Sequence, residues 1–226
     1  MSARKQQCDS RKKVLIVDDH PLLREGLGRV INQQEDLVVC GEASDGPSGL
    51  AAVAKLHPDV VIVDISLDEG SGLDLIKDII ARQPKLPVLA LSMHHENLYA
   101  ERAIRVGARG YVMKREPVST VITALRKVLS GNIAASENII SRLIGPRRRS
   151  TTSDSSSLAD VLSDRELEVF RLFGEGCGTR QIAVKLRLAA STIESYRGAI
   201  KQKLGLANGT ELIARAARFV ANESGD

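Results

Sequence analysis

Short runs of β-branched and aliphatic residues alternate along the first part of the chain with stretches whose apolar positions recur every three or four residues. The runs cover residues 13–17, 37–40, 60–64, 87–91 and 110–113, and the periodic stretches cover 21–34, 46–57, 73–82, 96–106 and 118–129. The runs are too short for buried helices and too uniformly apolar for strands with one wet face. They predict strands covered on both sides. Val60-Val61-Ile62-Val63-Asp64, apolar until its last residue, reads as the central strand. In the stretches between, Leu22, Leu23, Leu27, Val30 and Ile31, or Leu50, Val53, Ala54 and Leu56, fall on one helical face. Pro21 suits a first helical turn, and Gly107 and Gly131 stand where helices stop. Strand and helix alternating five times, with tight connections, predict a parallel α/β sheet with helices on both faces.

The pattern changes after residue 132. Residues 133–144 continue as a short helix with Ile139, Ile140, Leu143 and Ile144 apolar, until Gly145-Pro146 stops it. Arg147-Arg148-Arg149 and a Ser/Thr-rich stretch to Ser157 follow, a composition that buries too little surface to order itself and reads as a flexible linker. Helical periodicity returns at Leu162. Ser163 and Glu166 form a capping box, ahead of a helix that buries Leu167, Phe170, Leu172 and Phe173. Gly174, Gly176 and Gly178 follow that helix rather than a strand, so they are helix-stop and turn residues and not a phosphate loop. Thr179 is placed to cap a short helix over 180–187, with Ile182, Ala183 and Leu186 inward. A turn through Leu188-Ala189-Ala190 leads to a longer helix over 191–204 lined by Ile193, Tyr196, Ile200 and Leu204. Gly205 ends it, and a last helix covers 210–220. The expected organisation is a basic flexible tail (1–11), an α/β domain (12–132), a helix and linker (133–157), an all-α domain (158–221) and a short tail (222–226).

Charge refines this picture. The formal net charge is only +4. Residues 1–141 carry 18 basic and 18 acidic side chains, whereas 142–157 carry four against one and 180–203 carry six against one. A local excess of this kind points to an anionic partner. No apolar run is long enough to cross a bilayer, and the basic N-terminal tail lacks the apolar core of a signal peptide. Cys8, Cys40 and Cys177 are widely spaced and odd in number, which suits a reducing cytoplasm and offers no disulfide framework or zinc site. His94-His95 reads as loop surface and His57, before Pro58, as a helix end.

The candidate chemistry lies at the strand ends. Asp18 and Asp19 follow the first strand, Asp64 closes the third, Ser92 the fourth and Lys114 the fifth. A right-handed parallel arrangement gathers these ends on one rim. Singly, each has a bland reading: acids cap helices and form turns, a lysine is solvated, Tyr111 is core. Together, three carboxylates repel one another unless a cation lies between them, and oxygen donors suit a hard ion such as Mg2+. A carboxylate nucleophile, a metal, a lysine and a hydroxyl describe a site for a phosphoryl group.

The set Asp18-Asp19, Asp64, Ser92, Tyr111 and Lys114 resembles the receiver domain of two-component response regulators. The resemblance implies a flavodoxin-like fold with strand order 2-1-3-4-5 and a phosphoacceptor, Asp64, served by a sensor histidine kinase. It also implies a Mg2+ site in which Asp19 and Asp64 bind directly, Asp18 assists through water and the Ser66 carbonyl completes the set. Ser92 and Tyr111 would be switch residues, Ser92 moving to bond the phosphoryl oxygen and Tyr111 rotating inward. One departure is Arg115-Glu116 between Lys114 and Pro117, where the family often has proline directly after the lysine.

In the second half, two helices joined by a tight turn, the second basic outside, form a helix-turn-helix that enters the major groove N-terminus first. Leu162-Ser163, Arg165-Glu166, Ile182-Ala183, Ser191-Thr192-Ile193 and Lys203-Leu204-Gly205 resemble the LuxR-type DNA-binding domain, and the whole chain resembles the NarL/FixJ class. Arg197, Lys201 and Lys203 are expected on phosphates, Arg180 and Lys185 as backbone clamps, and Ser191, Thr192, Glu194 and Ser195 at base edges. Glu194 departs from the lysine many members carry; it accepts from cytosine N4 or pairs with Arg197. Tyr196 stands where histidine is common and Gly209 where arginine is common. The expected function is a cytoplasmic bacterial transcription regulator, homodimeric on double-stranded DNA when phosphorylated. The competing enzyme class, an aspartyl phosphohydrolase, wants a second Asp where Ser66 stands, and no nucleotide-binding loop follows any strand to support a kinase.

Overall fold

The computed structural model describes residues 11–67, 71–93, 96–144, 158, 161–186 and 188–223. The first ten residues of the basic tail, His94-His95, the arginine triplet with the linker to Ser157, Arg187 and residues 224–226 lie outside the described residues. The chain divides into two compact units, 1–147 and 148–226.

The first unit runs β1 (Lys12–Val17), α1 (Pro21–Asn32), β2 (Leu37–Ala43), α2 (Gly46–Leu56), β3 (Val60–Asp64), α3 (Gly72–Arg82), β4 (Val88–Ser92), α4 (Glu96–Arg105), β5 (Gly110–Met113), α5 (Val118–Leu129) and α6 (Glu137–Ile144). The strands are parallel in the order β2-β1-β3-β4-β5, so β3 lies centrally and every residue of it is buried. Alternation splits the apolar runs between two cores. Val14, Ile16, Val60, Ile62, Leu89, Leu91 and Val112 meet Leu27 and Ile31 of α1 and Val121, Ile122, Leu125 and Val128 of α5. Leu15, Val17, Val61 and Val63 are buried beneath the other layer, where α2 and α3 contribute Val53, Leu73, Ile76 and Ile79.

Three boundaries differ from the sequence pattern for physical reasons. β2 continues past Cys40 to Ala43, skipping Cys40 in its ladder with β1; the added residues, half-buried Gly41, exposed Glu42 and buried Ala43, carry no apolar run. β4 begins at Val88, one residue after Pro87, and takes in Ser92, whereas β3 covers 60–64 as expected with Asp64 as its last residue. The helix expected from 133 starts at Glu137, because Ala134 is used as a strand residue. The Tyr111 amide donates to the Ala134 carbonyl at 2.8 Å and the Ala134 amide to the Arg109 carbonyl at 2.9 Å. Gly110 permits this approach, since a Cβ there would come within 2.9 Å of the Ala134 methyl. With α6 packed on α4 and Ile139 fully buried, residues 134–144 belong to the first unit rather than to a linker.

The second unit contains α7 (Asp164–Gly174), α8 (Thr179–Lys185), α9 (Ala190–Leu204) and α10 (Gly209–Glu223). Both halves of the capping box are made: the Ser163 amide donates to Glu166 Oε2 at 2.7 Å and the Glu166 amide to Ser163 Oγ at 3.4 Å. Leu167, Phe170, Phe173, Ile182, Ile193, Ile200, Leu212, Ala216 and Phe219 are buried, with the Phe170 and Phe219 rings 5.8 Å apart. Gly205, in the left-handed conformation at φ +65°, ends α9. No described helix is long and apolar enough to cross a membrane.

One glycine ties the sheet directly to the candidate site. The Gly72 amide donates to the Ile65 carbonyl at 3.0 Å, while the Ser71 hydroxyl caps α3 by accepting from the Leu73 amide. A Cβ on Gly72 would lie 1.9 Å from the Asp64 carbonyl oxygen and 2.7 Å from the Ile65 Cα, both backbone atoms unable to yield. Gly72→Ala is therefore expected to destabilise the first unit by about 2 kcal/mol or more, measured by urea unfolding.

Candidate functional site

The β1 and β3 ends place Asp18 and Asp64 side by side, each carboxylate 1% exposed. Lys114, just beyond β5, reaches between them with its ammonium 2.7 Å from Asp18 Oδ2 and 2.7 Å from Asp64 Oδ2. The Ser66 amide donates to Asp64 Oδ1 at 3.0 Å, so both oxygens of this carboxylate are engaged. Burial pushes the Asp64 carboxyl up to about 6; the Lys114 charge opposes this and the Asp18 charge adds to it. For Lys114, burial works against its charge, but the two carboxylates outweigh it and raise its pKa.

Ser92 is fully buried at the end of β4, and its carbonyl accepts the Lys114 amide at 2.7 Å, which registers β5 against β4 at the rim. Tyr111, on β5, is buried as well. No cis peptide occurs among the described residues at the departure after Lys114 or elsewhere.

The acid cluster is wider than the sequence reading. Ligand atoms of Asp18, Asp19, His20 and Asp64 all lie within 4.8 Å of one another. His20 Nδ1 sits 2.9 Å from Asp19 Oδ1 and 3.2 Å from Asp18 Oδ1, and its backbone amide donates to Asp18 Oδ1 at 2.8 Å. His20 and Arg24 are absent from the residues singled out by sequence, although His20 directly follows the acid pair. The Arg24 guanidinium donates to the Asp18 carbonyl and approaches Glu42 Oε2 at 3.4 Å, fixing the loop that presents the cluster. Crowded oxygen donors beside a carboxyl lifted by burial fit a hard divalent cation such as Mg2+.

In the second unit, α8 and α9 make the helix-turn-helix. Ser191, Glu194 and Ser195 are exposed near the start of α9, Thr192 is half-buried, and Arg180 is exposed on α8. Thr179 does not cap α8. Gly178 holds that position, and the Thr179 hydroxyl instead donates to Glu194 Oε1 at 2.7 Å. Arg197 Nη1 lies 3.5 Å from the same Glu194 oxygen, and its guanidinium rests 5.7 Å over the Phe173 ring. Gly209 makes room for it: a Cβ there would fall 2.1 Å from Arg197 Nη2. Lys203 donates to Glu166 Oε2 at 2.6 Å, joining the end of α9 to the α7 cap. Burial resists the Glu166 charge, but Lys203 and Ser163 hold its carboxyl below the usual range. Lys185 approaches Cys177 Sγ at 3.4 Å. Arg197, Lys203 and Lys185 thus have partners within the unit, while Lys201 is half-buried on α9.

Sheet order, acid rim and lysine define a receiver domain, and the second unit a helix-turn-helix module. The response regulator receiver domain family matches residues 14–126, and the bacterial regulatory proteins of the luxR family match 160–216. The oxygen regulatory protein NreC of Staphylococcus carnosus is 34% identical over 208 residues, covering 90% of this chain and 96% of that protein. A structure of the Salmonella typhimurium response regulator RcsB is 29% identical with a TM-score of 0.60, covering 93% of this chain and 98% of that one. RcsB of Salmonella enterica serovar Typhimurium bound to the rprA promoter with the phosphomimetic BeF3- is 27% identical with a TM-score of 0.58, covering 92% and 98%. The chain belongs to the response regulators that join a receiver to a LuxR-type DNA-binding domain, the NarL/FixJ class.

The raised Asp64 carboxyl sets a pH dependence. A folded pKa near 6 against the ordinary carboxyl value of 3.8 means the folded chain holds this proton more tightly, so protonation favours the fold. Without metal, the receiver should gain stability as pH falls through about 6 towards 4, relative to Asp64→Asn, in which that gain is absent. Thermal unfolding of both proteins across this window measures the difference.

Proposed function

We propose that this chain is a DNA-binding transcriptional regulator switched by phosphorylation of Asp64 by a sensor histidine kinase. The observation that carries the reading is the buried Asp64 carboxylate at the central strand end, paired with Lys114 beside a cluster of further acids. An Asp64 oxygen attacks the phosphorus of a phosphohistidine; the O–P bond forms as the N–P bond breaks, and the imidazole leaves. Lys114, held between two carboxylates, balances charge on the phosphoryl oxygens. Asp19, Asp64 and the Ser66 carbonyl, with Asp18 through water, would hold Mg2+, which supplies further neutralisation of phosphoryl charge. The Ser92 hydroxyl meets the new phosphoryl group from the neighbouring strand, and Tyr111 behind it carries the readout. Slow attack by water on the acyl phosphate resets the switch.

The output is assigned to α9. Ser191, Thr192, Glu194 and Ser195 face base edges in the major groove, while Arg180, Lys185, Arg197, Lys201 and Lys203 serve the phosphate backbone, Arg197 and Lys203 on leaving their internal partners. The RcsB–promoter structure with a phosphomimetic supports this pairing of receiver state and DNA contact. Phosphorylation promotes a homodimer on paired half-sites, and the setting is the bacterial cytoplasm. Residues 12–144 form the regulatory unit and 158–221 the DNA-binding unit, with 145–157 as linker.

Two measurements test the reading. Wild type given acetyl phosphate and Mg2+ should gain one phosphoryl group by mass spectrometry and bind selected DNA more tightly, whereas Asp64→Ala should do neither. Unphosphorylated wild type binding as tightly as the phosphorylated form would sink the switch. Glu194→Lys should raise non-specific affinity, steepen the salt dependence by about one unit in the log–log slope and change the preferred base at one position of selected sites.

A further inference from the structure

α8 starts without using the hydroxyl of its first residue. Gly178 holds the cap position, and the Gln181 side chain reaches back to accept the Gly178 amide at 2.8 Å. Thr179, half-buried in the first turn, therefore keeps its hydroxyl for a partner on α9 and donates it to Glu194 Oε1 at 2.7 Å. Arg197 Nη1 approaches the same oxygen at 3.5 Å, its guanidinium seated over the Phe173 ring in the space that Gly209 leaves. Two donors thus converge on Oε1. Oε2 has no hydrogen-bond partner among the described residues, and the Glu194 side chain is 53% exposed.

We propose that Thr179 is a specificity-determining residue that acts through Glu194: its hydroxyl holds the carboxylate so that Oε2 meets the amino group of a cytosine at one position of each half-site. The proposal rests on the assignment of α9 to the major groove and of Glu194 to a base edge. A carboxylate oxygen can only accept, and the donors in that groove are the amino groups of cytosine and adenine. Adenine's amino group lies between two acceptors, its own N7 and thymine O4, which repel an anion on both sides. Cytosine's has guanine O6 on one side only, so a C·G pair is the one a single fixed oxygen selects. The hydroxyl matters most in the complex. When Arg197 turns to a phosphate, Glu194 loses its charged partner, and an untethered carboxylate swings away from the DNA backbone towards solvent. Thr179 carries no charge for phosphates to compete over, so its bond persists and keeps Oε2 on the base.

The test selects sites for the full-length protein from randomised duplex DNA, finds the position at which Glu194→Ala alters the selected base, and measures affinity on four duplexes differing only there. Wild type should favour cytosine. Thr179→Val, which keeps the shape and removes the hydroxyl, should lose about tenfold of that preference, while the other positions, the salt dependence and the thermal unfolding midpoint stay as in wild type. Thr179→Ser, which restores a hydroxyl, should recover the preference. Adding Thr179→Val to Glu194→Ala should change nothing further, because the hydroxyl acts only through the carboxylate. Preference lost in Glu194→Ala but kept in Thr179→Val would overturn the role of Thr179 and leave Glu194 as a base reader. An equal fall on all four duplexes in Thr179→Val would refute it as well, by marking the residue as structural. Wild type favouring a base other than cytosine would rule out the contact assigned to Oε2. Selected sites unchanged in Glu194→Ala would remove the base contact of Glu194 altogether, and Thr179 with it.

Discussion

A lysine ammonium clasped between two buried carboxylates is the interaction on which the receiver depends. Asp18 and Asp64 come from adjacent parallel strands, and Lys114 comes from beyond the far edge strand, so the contact spans the sheet from β1 to β5. Two acids and one lysine leave net negative charge in a poorly solvated place, a costly arrangement that apolar packing alone would stabilise better. Its retention makes sense as a site whose charge is completed from outside. The surrounding architecture serves that geometry. Gly72 lets α3 begin against the Asp64 backbone, Arg24 anchors the Asp18 carbonyl, and the Lys114 amide is bonded to Ser92.

The DNA-binding unit handles charge in the opposite way. Its basic residues are partly occupied at home: Arg197 by Glu194 and Phe173, Lys203 by Glu166. Glu194 also takes the Thr179 hydroxyl, so one carboxylate links the two helices of the helix-turn-helix. The pairing of Glu194 with Arg197, one of two readings open in the sequence, is present in the free domain. Gly209 belongs to the same arrangement, because a side chain there would compete with Arg197 for its place on the ring.

Much of this is legible in the sequence, and the remainder has identifiable reasons for being hidden. The five strands follow from doubly covered apolar runs, their order only from the resemblance to receiver domains, and Asp18, Asp64 and Lys114 from the rule that parallel strand ends share a rim. His20 escapes because a histidine beside two acids has no pattern of its own; only the extended backbone before Pro21 aims it inward. The extension of β2 through Ala43 and the strand role of Ala134 escape because both depend on hydrogen bonds to distant residues and not on hydrophobic spacing. Thr179 is misread as a cap because its best partner, Glu194, lies 15 residues away.

The bond between Ala134 and β5 has a practical side. A terminal strand of a parallel sheet exposes a row of amides and carbonyls that invites pairing with another molecule. Here Ala134 occupies part of that row on β5, and the helix after it lies over the neighbouring α4. Cutting the chain at residue 132, where the apolar periodicity pauses, would strip away this cover and leave a sticky margin prone to self-association. A receiver fragment ending after Ile144 keeps its own guard against aggregation.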